Sequence, residues 1–238
     1  MIKKLFVADG LPNHPSRDMA VIDYVTIHET GNFNATATAA AHARFQYNGG
    51  GGRAASWHYT VDVDEVWQSF RDTQMCWHTG TWQGNQSSIG IEICVNSRFD
   101  FKEACVKSAR LTADLLGFHG LNTDNVVQHH FWSGKDCPRQ LRHKNWNLDW
   151  DWFMDLVSKF FAESNTGEVA AEGEEIIETL RAFGVSFNEE HWRGVFNGNI
   201  VPVRKWTEKL LKRVFDVRWY KTSPKEIRRL IRAAMNLS

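Results

Sequence analysis

An α/β domain followed by a small all-α segment is the architecture that this 238-residue sequence predicts. Three observations carry that reading. Short runs rich in β-branched residues recur at 20–28, 57–63 and 88–95. Helical patterns at 36–47 and 101–118 alternate with them, the arrangement expected when helices cover a sheet. Past about residue 163 the strand signals stop and only short helical stretches follow.

The elements follow in order. Residues 20–28, AVIDYVTIH, read as a buried strand ending at His28. Residues 36–47, TATAAAHARFQY, are alanine-rich and read as a helix. Asn48 and the four glycines at 49–52 break it, in a loop that must be mobile or closely approached by another group. Residues 57–63 form a strand, with 65–68 as its hairpin partner. Along 88–95 the alternation sends Ile89, Ile91, Ile93 and Val95 to one face and Gly90, Glu92 and Cys94 to the other. Ala104, Cys105, Ala109, Thr112 and Leu116 recur at helical spacing in 101–118, and 148–162 reads as the helix that closes the domain. The first domain therefore spans 1–162, an acidic, glycine-containing linker 163–174, and a helical segment 175–238. Within that last segment, 174–183 ends at Gly184, and Trp206, Leu210, Val214 and Val217 form one apolar stripe. Ser223, Pro224 and Glu226 spell a capping box.

An apolar fraction of 42% supports an ordinary core and excludes general disorder. The net charge of zero hides an asymmetry: residues 1–180 carry 15 Lys/Arg against 23 Asp/Glu, and 181–238 carry 13 against 5. A basic C-terminal segment suits an anionic partner, or forms a solvated helical face. Four cysteines (Cys76, Cys94, Cys105, Cys137) in a chain this long do not make a disulfide framework. The apolar run after Lys4 is only Leu5 to Ala8, shorter than the roughly 7–15 residues of a signal-peptide core. No run of about 18 apolar residues predicts a membrane span. Synthesis in the cytoplasm without a signal peptide is the expectation.

Three segments carry candidate chemistry: Thr26-Ile27-His28-Glu29-Thr30, Ile91-Glu92-Ile93-Cys94, and residues 128–138, QHHFWSGKDCP. Two imidazoles and a thiolate can hold zinc and leave one tetrahedral position open. His129 and Cys137 flank a turn containing Ser133 and Gly134, which can fold both back onto one ion. Spacing alone leaves alternatives: Cys137 as a small buried hydrophobe, His28 as a core histidine bonded to a carbonyl. His28-Glu29 is not the start of an HExxH helix, because residue 32 is Asn32.

Taken together, the ordered elements resemble the type-two N-acetylmuramoyl-L-alanine amidase family, which includes phage endolysins, autolysins and peptidoglycan recognition proteins. The elements are Ile27-His28-Glu29-Thr30, Trp57-His58-Tyr59, Trp77-His78-Thr79-Gly80, Ile91-Glu92-Ile93, and His129 followed by Lys135-Asp136-Cys137-Pro138. The resemblance covers roughly residues 20–160 and implies a mixed central sheet flanked by helices. It implies one Zn²⁺ held by His28, His129 and Cys137, with Glu92 as general base and Lys135 facing the developing oxyanion. His130 is a rival to His129, disfavoured by the family spacing to the cysteine. Some members carry a tyrosine where Trp57 stands, so Glu92 and Lys135 gain weight here. Trp57, His58, Trp77 and His78 are expected beside the ligands or facing substrate, with Trp82 and the 49–52 loop as groove walls. Cys76 and Cys94 are expected to be structural.

The implied reaction is hydrolysis of the amide between N-acetylmuramic acid and L-alanine in peptidoglycan, by a monomeric phage or prophage endolysin released from the cytoplasm to the wall. The competing reading is a peptidoglycan-recognition protein that binds without cutting; the presence of Cys137 and Lys135 favours the enzyme. The segment 175–238 is expected to target the wall. Basic and aromatic residues interleave there, but no recognised DNA motif accompanies them and nucleic acid is not the expected partner.

Overall fold

The computed structural model describes residues 2–96 and 100–166. Six strands build one sheet: β1 (Ile2–Lys4), β2 (Tyr24–Glu29), β3 (Tyr59–Val61), β4 (Val66–Gln68), β5 (Ser88–Ile93) and β6 (Val126–Gln128). Their order is β1-β4-β3-β5-β2-β6. Only the β3–β4 hairpin is antiparallel, and the other neighbouring pairs are parallel, so the sheet is mixed. The helices are α1 (Ala39–Tyr47), α2 (Trp82–Asn85), α3 (Phe101–His119), α4 (His129–Ser133), α5 (Arg139–Arg142) and α6 (Trp150–Thr166).

β2 and β5 sit at the centre and pair in register from Tyr24 opposite Ser88 to Glu29 opposite Ile93. Val25 and Ile27 share a face with Ile89, Ile91 and Ile93, all buried, each aliphatic side chain contributing about 1.5–3 kcal/mol by leaving water. The opposite face carries Thr26, His28, Ser88 and Gly90, also buried. A parallel sheet covered on both faces explains why these strands lack exposed polar positions. α3 buries a line of small side chains, Ala104, Cys105, Ser108 and Ala109. A smaller cluster joins Val7, Phe70 and Cys76.

Element ends differ from the sequence reading for local reasons. The first helix starts at Ala39 rather than 36, because the Asn34 side chain holds Thr36 in a turn and Thr38 caps the helix by accepting from Ala41 N. Asp62 adds a second acceptor, taking the N–H of Ala39 at 2.7 Å. β2 starts at Tyr24 because Ala20 and Asp23 bond instead to the backbone of Gln86 and Ser87. The closing helix runs on to Thr166, so 163–166 of the segment read as linker are helical. The rest of that linker and the segment 175–238 lie outside the described residues. Strands β1 and β6, three residues each, were not expected.

The chain divides into two compact units. Met1–Ala113 with Asn122–Ser158 contains the sheet and the candidate site. Of the described residues, Asp114–Leu121 and those from Lys159 on belong to the other, in which Leu121 N bonds back to Leu116 O at 2.9 Å. Among the described residues no helix is long and apolar enough to cross a membrane.

The glycine loop is wound rather than loose. Glycines 49–52 all have positive φ, between 61° and 86°, which costs an L-residue roughly 1–2 kcal/mol each. A Cβ on Gly50 would come within 3.1 Å of Asn13, whose Nδ2 donates to Gln46 O. Gly50→Ala is therefore expected to lower folding stability by about 1–3 kcal/mol, read as a fall in the denaturation midpoint. An unchanged midpoint would mean that the loop is not held in this conformation.

Candidate metal centre

β2, β5 and β6 run parallel, so their carboxyl ends meet at one edge of the sheet, where open α/β sheets place their sites. His28 is the penultimate residue of β2 and pairs with Glu92, the penultimate residue of β5. Equivalent positions on parallel neighbours present their side chains to the same face. His129 follows directly after β6 and opens α4. α4 ends at Gly134, whose φ of 71° turns the chain back. His130 N then bonds to Cys137 O at 3.1 Å, and the loop delivers Cys137 to the same edge.

The result is a compact donor set. His28 Nδ1 lies 2.9 Å from His129 Nδ1 and 3.9 Å from Cys137 Sγ. The three ligating atoms all fall within 4.8 Å of one another, and all three residues are buried. Two nitrogens and one sulfur of this kind fit zinc, leaving one tetrahedral position for water or substrate. Burial, then the neighbouring histidines, lowers the His28 pKa well below its usual value. Burial likewise takes His129 down to about 4, with Lys135 adding to the shift. Both imidazoles are neutral at pH 7, the form that ligates. Burial pushes the Cys137 thiol up to about 12, with Glu92 adding to the rise and an N–H from the Glu29 backbone opposing it.

The candidate donors are held from behind. The other nitrogen of His28, Nε2, lies 2.9 Å from His78 Nδ1, and His78 Nε2 lies 3.0 Å from Ser88 O. Asn85 Oδ1 accepts from the backbone N–H of both His78 and Thr79, fixing that loop. Glu29, beside His28, accepts from Gln140 N at 2.8 Å and so ties the end of β2 to the helix that follows Cys137. Thr26 bonds to the Ser88 hydroxyl and accepts from Trp132 Nε1 at 2.8 Å.

Glu92 is partly exposed as a residue, yet its Oε2 is buried with no hydrogen-bond partner among the described residues. Burial raises its pKa to about 8, against the pull of Lys135 and with a further push from Glu29. Lys135 is exposed on the loop between α4 and α5. Its positive charge acts on His28, His129 and Glu92, which places it over this edge.

The remaining expected residues divide. His130 is exposed, its Nδ1 3.2 Å from Lys135 O, and it stands outside the donor set. Trp57 and Trp77 are half-buried, and Trp57 Nε1 donates to Thr60 Oγ1 at 2.7 Å. His58 is fully buried, accepting from Gly90 N through Nδ1 and meeting Gln74 O through Nε2. His78 is buried against His28 rather than presented to a groove. Trp82 is exposed beneath the Arg17 guanidinium, 5.2 Å from the ring centroid. Glu29 and Asn85 were missed. Glu29 adjoins a predicted ligand at a strand end, a signal that could have found it; Asn85 had none.

A thiol that is protonated before binding and ionised after it must lose its proton. Zinc titration of the metal-free protein at pH 7, run by calorimetry in buffers of different ionisation enthalpy, should give at least one proton released per ion bound. Zero release would remove Cys137 from the ligand set.

Comparison with known proteins agrees with this geometry. The family model described as N-acetylmuramoyl-L-alanine amidase matches residues 17–140. The chain is 36% identical over 202 residues to N-acetylmuramoyl-L-alanine amidase XlyA of Bacillus subtilis, an alignment covering 83% of this chain and 64% of XlyA. It thus spans less than two thirds of the length of the curated relatives it matches. The solved catalytic domain of XlyA superposes with a TM-score of 0.60 at 38% identity, covering 66% of this chain and 99% of that one. A mutant endolysin from Bacillus subtilis gives 0.61 at 39% identity, covering 66% and 98%. With a family model matched over more than half of the chain, this chain belongs to the N-acetylmuramoyl-L-alanine amidase family.

Proposed function

We propose that this chain is a zinc-dependent amidase that hydrolyses the bond between N-acetylmuramic acid and the L-alanine of the stem peptide in peptidoglycan, acting as a phage or prophage endolysin. The observation that carries the reading is the convergence of His28, His129 and Cys137 within 4.8 Å at the strand edge that also bears Glu92. The amidase names of the relatives and the endolysin title of a structural neighbour support the substrate and the setting. Cys137 and Lys135 stand in the loop where the family pattern places them, which favours cutting over recognition alone.

His28, His129 and Cys137 would hold the ion, which when bound supplies Lewis acidity toward the amide carbonyl and toward water. The chain's own residues do the rest. Glu92 has a buried carboxyl oxygen with no other partner, free to take a proton from water. With a pKa of about 8 it can hold that proton and then give it to the departing amine, since a group titrating near working pH serves in both directions. Lys135 would face the oxygen that gains charge. Trp57 carries no acid–base group, so no aromatic hydroxyl shares the work at that position. The segment 175–238 is proposed as the wall anchor, which would raise the local substrate concentration by tethering. The chain is proposed to act as a monomer, on the wall, after release from the cytoplasm.

The direct test is mass spectrometry of purified peptidoglycan after digestion. Stem peptides with a free L-alanine amine should appear, vanish with a chelator and return with zinc. Intact walls with tight binding would favour the recognition-protein reading instead.

Glu92→Gln should separate catalysis from stability. Loss of a general base is expected to lower kcat by about 10²–10⁴-fold. Because burial raises the Glu92 pKa, ionised Glu92 opposes folding: the effect is absent below pH 4.5, grows toward pH 8 and is constant above it. The metal-free variant should therefore be more stable than the parent, by on the order of 1–3 kcal/mol at pH 7 after solvent screening of a partly exposed residue. Equal stability from pH 4 to 9 would mean that Glu92 is not desolvated in solution.

A further inference from the structure

We propose that His78 is a positioning residue that fixes His28 in its Nε2–H tautomer, through a hydrogen-bond relay anchored on the Ser88 main-chain carbonyl. The inference rests on the metal-centre reading for its consequence, but not for its geometry.

The relay runs inward from the backbone. A main-chain carbonyl can only accept, so His78 Nε2, 3.0 Å from Ser88 O, must carry a hydrogen. A neutral imidazole has one N–H, and in His78 Ser88 O takes it, so Nδ1 is a bare acceptor. His28 Nε2, 2.9 Å from that acceptor, must then donate. This leaves His28 Nδ1 as a lone pair, and it is the atom aimed at His129 Nδ1 and Cys137 Sγ. The opposite tautomer would put a hydrogen where a cation has to sit. Metal-ligating histidines commonly have their second nitrogen satisfied in this way, and loss of such a partner lowers metal affinity about 10–100-fold.

Neighbouring residues are shaped for the relay. A Cβ on Gly90 would lie 2.7 Å from His78 Nδ1, so the glycine in β5 makes room for the ring to lie against the strand. His58 takes the Gly90 N–H at 2.9 Å and meets Gln74 O at 2.8 Å, an anchored ring set at 90° to His78. The Asn85 side chain fixes the backbone from which His78 projects.

The test uses the full chain, metal-free, with ¹⁵N-labelled histidine. Long-range ¹H–¹⁵N spectra should show His28 and His78 each as a single Nε2–H tautomer. In His78→Leu, His28 should gain an Nδ1–H population, and the zinc Kd, read by competition with a chromogenic chelator, should rise about 10–100-fold. His78→Asn, whose amide oxygen can accept from His28, should restore the Nε2–H tautomer and most of the affinity. A His78→Leu protein with an unchanged His28 tautomer and an unchanged Kd would overturn the proposal. Should that variant fail to fold, the parent spectrum decides alone: an Nδ1–H on His28 overturns the relay. A parent protein that shows the tautomers but binds no zinc would sink the metal reading and leave the relay standing.

Discussion

The parallel pairing of β2 with β5 on one side and β6 on the other is the constraint on which the site depends. Parallel neighbours finish at the same edge, so a histidine near the end of β2, a glutamate near the end of β5 and a histidine just past β6 become neighbours without any special loop. The register is not free to drift. A one-residue slip of β2 would move Val25 and Ile27 to the polar face and turn His28 away from Glu92, exposing apolar area on one side and burying hydrogen-bonding groups unpaired on the other. Core packing and ligand geometry are thus enforced by the same pairing.

Burial then sets the chemistry of that edge. It disfavours every charged form there: the imidazolium of His28 and His129, the thiolate of Cys137, the carboxylate of Glu92. The metal-free centre accordingly collects neutral donors and one reluctant carboxylate, with two imidazole nitrogens facing each other at 2.9 Å. A divalent cation reverses the balance, since it favours the anionic thiolate and carboxylate and accepts both lone pairs. The same desolvation would favour a bound cation at this edge, and it raises the Glu92 carboxyl to a pKa of about 8.

Much of this was legible in the sequence where chemistry and periodicity coincide. β2 and β5 are six residues long and rich in β-branched side chains, and the motif residues His28 and Glu92 stand near their ends. The three-residue strands β1 and β6 were not legible, because a run that short carries no period. His78 was read as standing beside the ligands or facing substrate, since a Trp-His-x-Gly motif says nothing of what lies behind the ring. Its partner is a main-chain carbonyl, which no side-chain pattern encodes, and its space comes from Gly90 on another strand. The glycines at 49–52 announced an unusual backbone but not its winding, which depends on Asn13, more than thirty residues upstream.

The donors are far apart along the chain: His28 and Cys137 are separated by 109 residues. No early segment of a growing chain can gather them. His28 emerges first and waits while β5, β6 and the α4–α5 loop are synthesised, and the three atoms meet only when the sheet has closed around them. An ion held there could not template the fold at its outset and would act as a late clasp across long-range pairings whose closure entropy strand packing has already met. Such an ion would bind the assembled state far better than the extended one, so the last event in assembly would also be the one that resists its reversal.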